Sequence, residues 1–389
     1  MRKLSTGVLC VLALNAHANV IQFFAAGVSY SNPADLYTTK HSQFVIGSTA
    51  AHLDMRFNGS VYNFNTYQYG SGVNSSKTNT MLPYGRLATR FNEKMVLSLD
   101  VTEPFNSNLD WGQNAFTRYA NTENFLTDVD VSPKFSYDVN EKLHVGAGIN
   151  FNFITNNEVN FALPTGETTY ANLYNKSASF GLGYNLGATY MINQMNFLGI
   201  LYYSPIQQNT SGDSTLGPNI NSNFSVALRL PSTTSVSYVH IINQKWLVNL
   251  KAYLLGWDSL QTVYMYNTAA TPSDMTFQMH YKNALAFQGA VRNQVTEKMG
   301  LTLIGMIDNS PAQEDLRSLP FPADTQYLVG LAADYHFNQS ISAELLYGHV
   351  FSTANLQNSL PPAFGSLPFT TGNVNINANV VDLKLKIEA

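Results

Sequence analysis

From Leu143 to Phe153 the chain alternates: Leu143, Val145, Ala147, Ile149, Phe151 and Phe153 are apolar, and the residues between them are polar or glycine. Side chains of an extended chain point alternately to opposite faces, so this period predicts a strand with one apolar face and one polar or small face. The pattern returns in Phe180, Leu182, Tyr184, Leu186, Ala188 and Tyr190. It returns again in Tyr327, Val329, Leu331, Ala333, Tyr335 and Phe337, with aromatics at both ends of the run. Extending the reading predicts about fourteen strands, near 43–58, 81–91, 94–103, 126–138, 142–156, 178–191, 196–206, 229–241, 245–261, 281–293, 298–307, 325–337, 340–352 and 373–387.

The connections fall into two alternating classes. Short turns lie near Asn92, Asn140, Asn193, Asn243, Thr296 and Asn338, and long polar loops near 59–80, 104–125, 157–177, 207–228, 262–280, 308–324 and 353–372. Short turns on one side and long loops on the other are the signature of a β-barrel of the bacterial outer membrane. A soluble β-sandwich has no reason for so strict an alternation. The fold class read here is all-β, a transmembrane antiparallel barrel of about fourteen strands. Such a barrel is too wide for its own side chains to fill, so its lumen holds a plug, a ligand cavity or water.

Composition supports a membrane wall. Only 12% of residues are charged, against roughly 25% in soluble domains, while Tyr and Phe number 22 and 23. After the first residues no apolar run reaches the ~18 of a spanning helix. The net charge of −4 argues against nucleic acid as a partner. Arg2 and Lys3, the apolar stretch 7–14 and Ala16-His17-Ala18 together predict a cleaved signal segment 1–18, with Asn19 the first mature residue. The only cysteine, Cys10, lies within that segment, so neither disulfides nor thiolate metal sites are expected. Residues 19–42 precede the barrel pattern and 43–389 carry it. Export of this kind places the protein in the outer membrane of a Gram-negative bacterium, among its lipids, and a monomer is expected.

No enzyme is expected. The histidines are scattered, with His144 and His336 phased toward the lumen and His240, His280 and His349 near strand ends; neither G-x-S-x-G nor H-E-x-x-H occurs. No metal site or other cofactor is expected either. Residues 20–27 are apolar enough to seek burial, and Asn32-Pro33 favours a turn, so 19–42 is expected to be a bent insert in the lumen and not a helix. Trp111, Phe116, Phe125, Phe161, Leu163, Leu319, Phe321, Phe364 and Phe369 lie in nominally polar loops. They either pack loop against loop or form an apolar entry platform.

Asn32-Pro33-Ala34 resembles the N-P-A of the FadL/TodX-type long-chain fatty acid transporters of the outer membrane. The resemblance is carried further by Leu230-Pro231-Ser232, Trp246, Trp257-Asp258-Ser259, Tyr281-Lys282-Asn283-Ala284, Met306-Ile307-Asp308-Asn309-Ser310-Pro311 and Leu319-Pro320, in the family's order. It implies a fourteen-stranded barrel with an N-terminal hatch, including Asn32, Pro33 and Ala34, and passive uptake of hydrophobic molecules, long-chain fatty acids above all. The segment before Asn32 is shorter than the usual hatch. The chain ends Leu385-Lys386-Ile387-Glu388-Ala389, without the customary terminal aromatic, which implies a variant insertion signal.

A fatty carboxylate would need cationic partners. Alternation puts Lys251, Lys282 and Arg292 on the lumen face, and these are the candidate substrate-binding residues; otherwise they pair with acids such as Asp334 or Glu344. A general porin or an adhesive barrel is the alternative. A porin should show charge-lined strands, whereas this lumen is mainly Gly, Ala, Ser, Thr and Asn.

Overall fold

The computed structural model describes residues 28–166, 169–322, 324–359 and 368–389. The expected cleavage site, the apolar stretch 20–27 and Phe364 lie outside the described residues. In chain order the strands are β1 (Ser42–Asn63), β2 (Gln68–Asn92), β3 (Met95–Thr102), β4 (Asn106–Asp110), β5 (Glu123–Asp138), β6 (Leu143–Pro164), β7 (Tyr170–Asn193), β8 (Asn196–Tyr203), β9 (Ile206–Leu216) and β10 (Asn219–Leu230). There follow β11 (Ser232–Ile241), β12 (Trp246–Gly256), β13 (Thr262–Tyr266), β14 (Met275–Gln278), β15 (Ala284–Gln294), β16 (Met299–Asp308), β17 (Gln326–His336), β18 (Ile341–Ser359) and β19 (Pro368–Glu388).

All pairings are antiparallel, and β1 closes on β19 from Gln43 opposite Glu388 to Val61 opposite Thr370. Five crossings are interrupted, at β3/β4, β8/β9, β10/β11, β12/β13 and β14/β15, so the strands make a closed barrel of fourteen crossings. The expected short turns occur at the expected places. The apolar partners of the alternating pattern point outward: Ile149, Phe153, Leu182, Leu186, Leu331 and Leu383 are all exposed on the wall, as a lipid-facing surface requires. No helix among the described residues is long and apolar enough to cross a membrane.

Several expected loops are instead strand. β1 and β2 extend to a tip at 64–67, β6 and β7 run to Pro164 and from Tyr170, and β9 turns into β10 at Gly217-Pro218. The ladder continues beyond the membrane, where both faces meet water or other loops, so the outward apolar residues that mark a strand in sequence disappear. The loop aromatics resolve in favour of packing. Trp111, Leu319 and Phe369 are buried with Phe57 and Tyr119 in an outer cap, while Phe161, Leu163 and Phe321 join a larger apolar cluster in the upper lumen. Phe116 stacks on Phe57 at 6.0 Å between centroids, and Phe125 is half-buried.

The segment before β1 enters the barrel, as expected, but its form differs. Pro33–Thr38 is a 3-10 helix capped by Asn32, whose Oδ1 accepts the Ala34 N–H at 3.0 Å. Proline favours the first position of such a turn because its missing N–H has no partner there in any case. The expectation of a non-helical insert is therefore corrected.

Candidate functional site

The site begins with what holds this insert. Asn32 Nδ2 donates to Ala188 O and Thr189 Oγ1, both at 3.2 Å. Ser136 Oγ donates to Ala34 O at 3.0 Å, and Thr189 Oγ1 to Asp35 Oδ1 at 2.6 Å. Arg90 donates to the carbonyls of Tyr37 (2.6 Å) and Thr39 (2.8 Å), and the Tyr37 ring stacks on His144, 3.8 Å away. Close approach needs space. A Cβ on Gly187 would overlap the Asn32 carboxamide oxygen, and one on Gly146 would lie 2.5 Å from the Pro33 carbonyl carbon. The two glycines on the lumen face of β6 and β7 thus form the seat.

Above the insert the lumen is apolar. Leu126, Ile154, Phe161, Phe224, Trp257 and Phe277 belong to one buried cluster that fills the upper barrel. Below it lies a polar cavity of about 420 Å³, bordered by Asp35, Lys251, Glu344, Asp382 and Lys384. Burial pushes the Asp35 carboxyl above its ordinary range, while the Thr189 hydroxyl and the Lys251 ammonium pull it back.

Between the two levels is a charged knot. Arg86 and Asp100 are directly opposite in the β2–β3 register. Arg86 donates Nε to Asp100 Oδ1 at 2.7 Å and Nη2 to Oδ2 at 2.6 Å, and Lys134 Nζ donates to the same Oδ2 at 2.7 Å. Lys134 also donates to Tyr203 Oη at 2.9 Å, and the Tyr203 hydroxyl donates to Ser31 O at 3.1 Å. The knot therefore ties β2, β3, β5 and β8 to the insert. Burying three charges is tolerable because each is paired and hydrogen-bonded.

At this level the wall is broken. Pro104 has no N–H to give a ladder, and the chain between β3 and β4 turns inward. Asp128 Oδ1 accepts the Phe105 N–H at 2.6 Å, which draws Phe105 into the lumen beside Tyr30. Among the described residues no ladder joins β4 to β2. Only side chains bridge them, as in Thr78 Oγ1 to Asn108 O at 2.7 Å and Asp110 N to Ser76 Oγ at 2.9 Å. Breaks at Ser204-Pro205 and Pro231 lie at the same height, since Pro104, Ser204 and Pro231 line one small interior pocket with Tyr30, Asp130 and Lys134. On the outside, a groove of about 670 Å³ lined by Ile46, Pro83, Gly85, Val101 and Leu383 meets the same segment at Thr102.

The three sequence candidates are not brought together. Lys251 faces the lower polar cavity, as alternation requires. Arg292 is spent on Asp334, with Nε to Oδ1 at 3.0 Å and Nη2 to Oδ2 at 2.8 Å. Lys282 is corrected: the chain leaves the ladder from 279 to 283, and its side chain is exposed. The inward phase extrapolated from Ala284 does not hold there because the Lys282 N–H bonds to Pro311 O instead of to a neighbouring strand. Of the histidines, His144 is buried with Nδ1 2.6 Å from Asp138 Oδ1, and His336 is mostly exposed. Because Arg292 is already neutralised, Arg292→Ala should leave solute uptake within about twofold of wild type and lower stability by about 1–2 kcal/mol, as read by uptake into proteoliposomes and by heat-dependent gel mobility.

The knot itself was missed, although its signal is present. Asp128, Asp130, Ser132, Lys134 and Ser136 occupy successive inward positions of β5, an unusual run of charge on a lumen face.

Comparison with known proteins now adds a lineage. The family model for outer membrane protein transport proteins (OMPP1/FadL/TodX) matches residues 13–386. Outer membrane protein P1 of Haemophilus influenzae is 21% identical over 372 residues, which cover 84% of this chain and 80% of that one. The crystal structure of a Pseudomonas aeruginosa FadL homologue superposes with a TM-score of 0.84 at 17% identity, covering 98% of this chain and 100% of the other. The Pseudomonas putida toluene transporter TodX gives a TM-score of 0.69 at 14% identity, covering 98% and 99%.

Proposed function

The chain belongs to the OMPP1/FadL/TodX family of outer membrane transport proteins, and from that premise we propose how its barrel passes solutes and by which route they leave. It is an outer-membrane channel of a Gram-negative bacterium for the passive uptake of hydrophobic compounds. Solute enters through the outer cap and partitions into the apolar upper lumen. It then leaves sideways, between β2 and β4, into the hydrocarbon of the membrane.

One observation carries the route: the interior pocket and the lipid-facing groove meet at Thr102, the last residue of β3, where the unladdered segment Glu103–Phe105 begins. Physics opposes the straight path. An apolar solute moving downward would leave the cluster for a cavity bordered by five Asp, Glu and Lys side chains, losing about 25 cal/mol per Å² of apolar surface returned to a polar medium. Sideways it stays in hydrocarbon throughout. The insert with Asn32, Pro33 and Ala34 acts as the hatch that blocks the lower exit. Members of this family include a toluene transporter, and long-chain fatty acids remain the solutes that the sequence resemblance implies.

Reconstitution tests the reading. Proteoliposomes should take up a fluorescent fatty acid or toluene faster than protein-free vesicles, while planar bilayers should show no large steady current; large currents with no selective uptake would favour a general porin. Lys251→Ala should change uptake by less than about threefold, because Lys251 lies below the proposed exit.

A further inference from the structure

We infer that the outer wall of β18, β19, β1 and β2, just above the hydrocarbon, is a docking surface for a phosphate-bearing glycolipid of the outer leaflet, with Arg56 and Lys77 holding a phosphate. Such a surface stands whether or not solute leaves the barrel sideways.

The four strands run past the membrane as one sheet whose outward positions align in rows. The lowest polar row is Asn79, His52, Asn379 and His349; the next holds Lys77, Asp54 and Asn377, and the third Arg56, Asn375 and Thr353. The carboxamides are turned to donate. Asn79 Oδ1 accepts from His52 Nδ1 at 2.8 Å, Asn379 Oδ1 from the Tyr347 hydroxyl at 2.8 Å and Asn375 Oδ1 from the Thr353 hydroxyl at 3.0 Å. Each Nδ2 is left to donate outward. Arg56 is exposed and forms no ion pair with any described residue, while Lys77 Nζ lies 2.8 Å from Asp54 Oδ2 in a pair that water reaches. Two cations against one acid, with N–H donors around them, suit the oxygens of a phosphate. The β6–β7 wall differs: there Lys176 pairs with Glu158 at 3.2 Å and stands opposite Asp213 in the β7–β9 register, so acids prevail.

What lies beneath makes the occupant a lipid. Below the polar rows the same outward positions turn apolar, through Met81, Ala50 and Val381 to Pro83 and Leu383 at the outer groove. From His52 down to Ile46 is six residues, about 20 Å of strand at about 3.3 Å each, or about 15 Å of depth at a tilt of about 40°. That is one leaflet of a hydrocarbon core about 30 Å thick. A lipid whose phosphate sits on Arg56 and Lys77 therefore lays its acyl chains down this wall as far as the groove. Free phosphate would gain only the upper half of the surface.

The test titrates the full-length mature protein in detergent with bisphosphorylated lipid A and reads bound lipid by native mass spectrometry. The wild type should hold this lipid at least about tenfold more tightly than the same lipid with both phosphates removed. Arg56→Glu combined with Lys77→Glu should lose at least about tenfold in lipid A affinity, whereas Lys176→Glu, a change of the same sign on the β6–β7 wall, should stay within about twofold. A large excess of inorganic phosphate should leave the lipid bound. Equal binding of the two lipids, an equal loss in Lys176→Glu, or displacement by inorganic phosphate would each overturn the docking site. Should the double charge reversal fail to fold, as read by heat-dependent gel mobility, Arg56→Gln carries the same test, with an expected loss of at least about threefold.

Discussion

Gly187→Val is expected to give the barrel a steady ion current that the wild type is expected to lack. The new side chain would need the volume now filled by the Asn32 carboxamide, whose Oδ1 lies where the Cβ must go. Asn32 would be expelled and would lose its bonds to Ala188 O and Thr189 Oγ1, and the cap on Ala34 N would be weakened. Each such bond contributes about 0.5–1.5 kcal/mol. The steric term is larger, because Pro33 and the β7 backbone are both rigid. The barrel itself should survive, since Gly187 remains paired with Gly146 and Leu201 through backbone bonds. Single-channel recording should show conductance at least about tenfold above wild type, with unchanged heat-dependent gel mobility. Asn32→Ala, which removes the bonds without the clash, should give brief openings only. A silent Gly187→Val channel with a folded barrel would mean that residues 31–38 do not seal the lumen.

Closing the wall should have the opposite effect on solute. Gly85 faces the lipid side and borders the outer groove, and its nearest obstacle to a Cβ is Val45 O at 3.4 Å. Gly85→Trp can therefore place its indole in the groove with little strain on the ladder. Uptake of a hydrophobic solute into proteoliposomes should fall at least about tenfold, while solute binding in the upper lumen stays within about twofold. The reverse pattern, with binding lost and uptake per bound solute unchanged, would locate the exit elsewhere. The substitution leaves Arg86 and Asp100 untouched, so the result reports the route and not the charge knot.

The two variants also show how unevenly the site was written in the chain. The glycines that seat the insert stood in the alternating pattern as small inward residues, and Asn32-Pro33-Ala34 stood out by resemblance. Nothing local connected them, because Asn32 and Gly187 meet only after six crossings of the wall have curved the sheet round. Lys251 was phased correctly because its strand is regular. Lys282 was not, because phase holds only while the ladder does, and the ladder stops at Ala284. Arg292 was phased correctly, yet its pairing with Asp334 depends on a register three strands wide. The long polar loops concealed strands because outward apolar residues, the mark of a strand in a bilayer, are not required above it.

What the sequence determined by itself was the wall: the number of crossings, the face each side chain takes where the ladder is regular, the side that carries short turns and the need for something to occupy the lumen. These follow from the period of an extended backbone and from the medium on each face, both of which act over a few residues. The tertiary structure decided the rest. It set Asp100 between Arg86 and Lys134, seated the insert of residues 32–38 on Gly146 and Gly187, and placed the break after Thr102 opposite a lipid-facing groove. Each depends on barrel closure, which brings together residues far apart in the chain, and on charge pairing, which the inward phase of a lone lysine or aspartate does not specify.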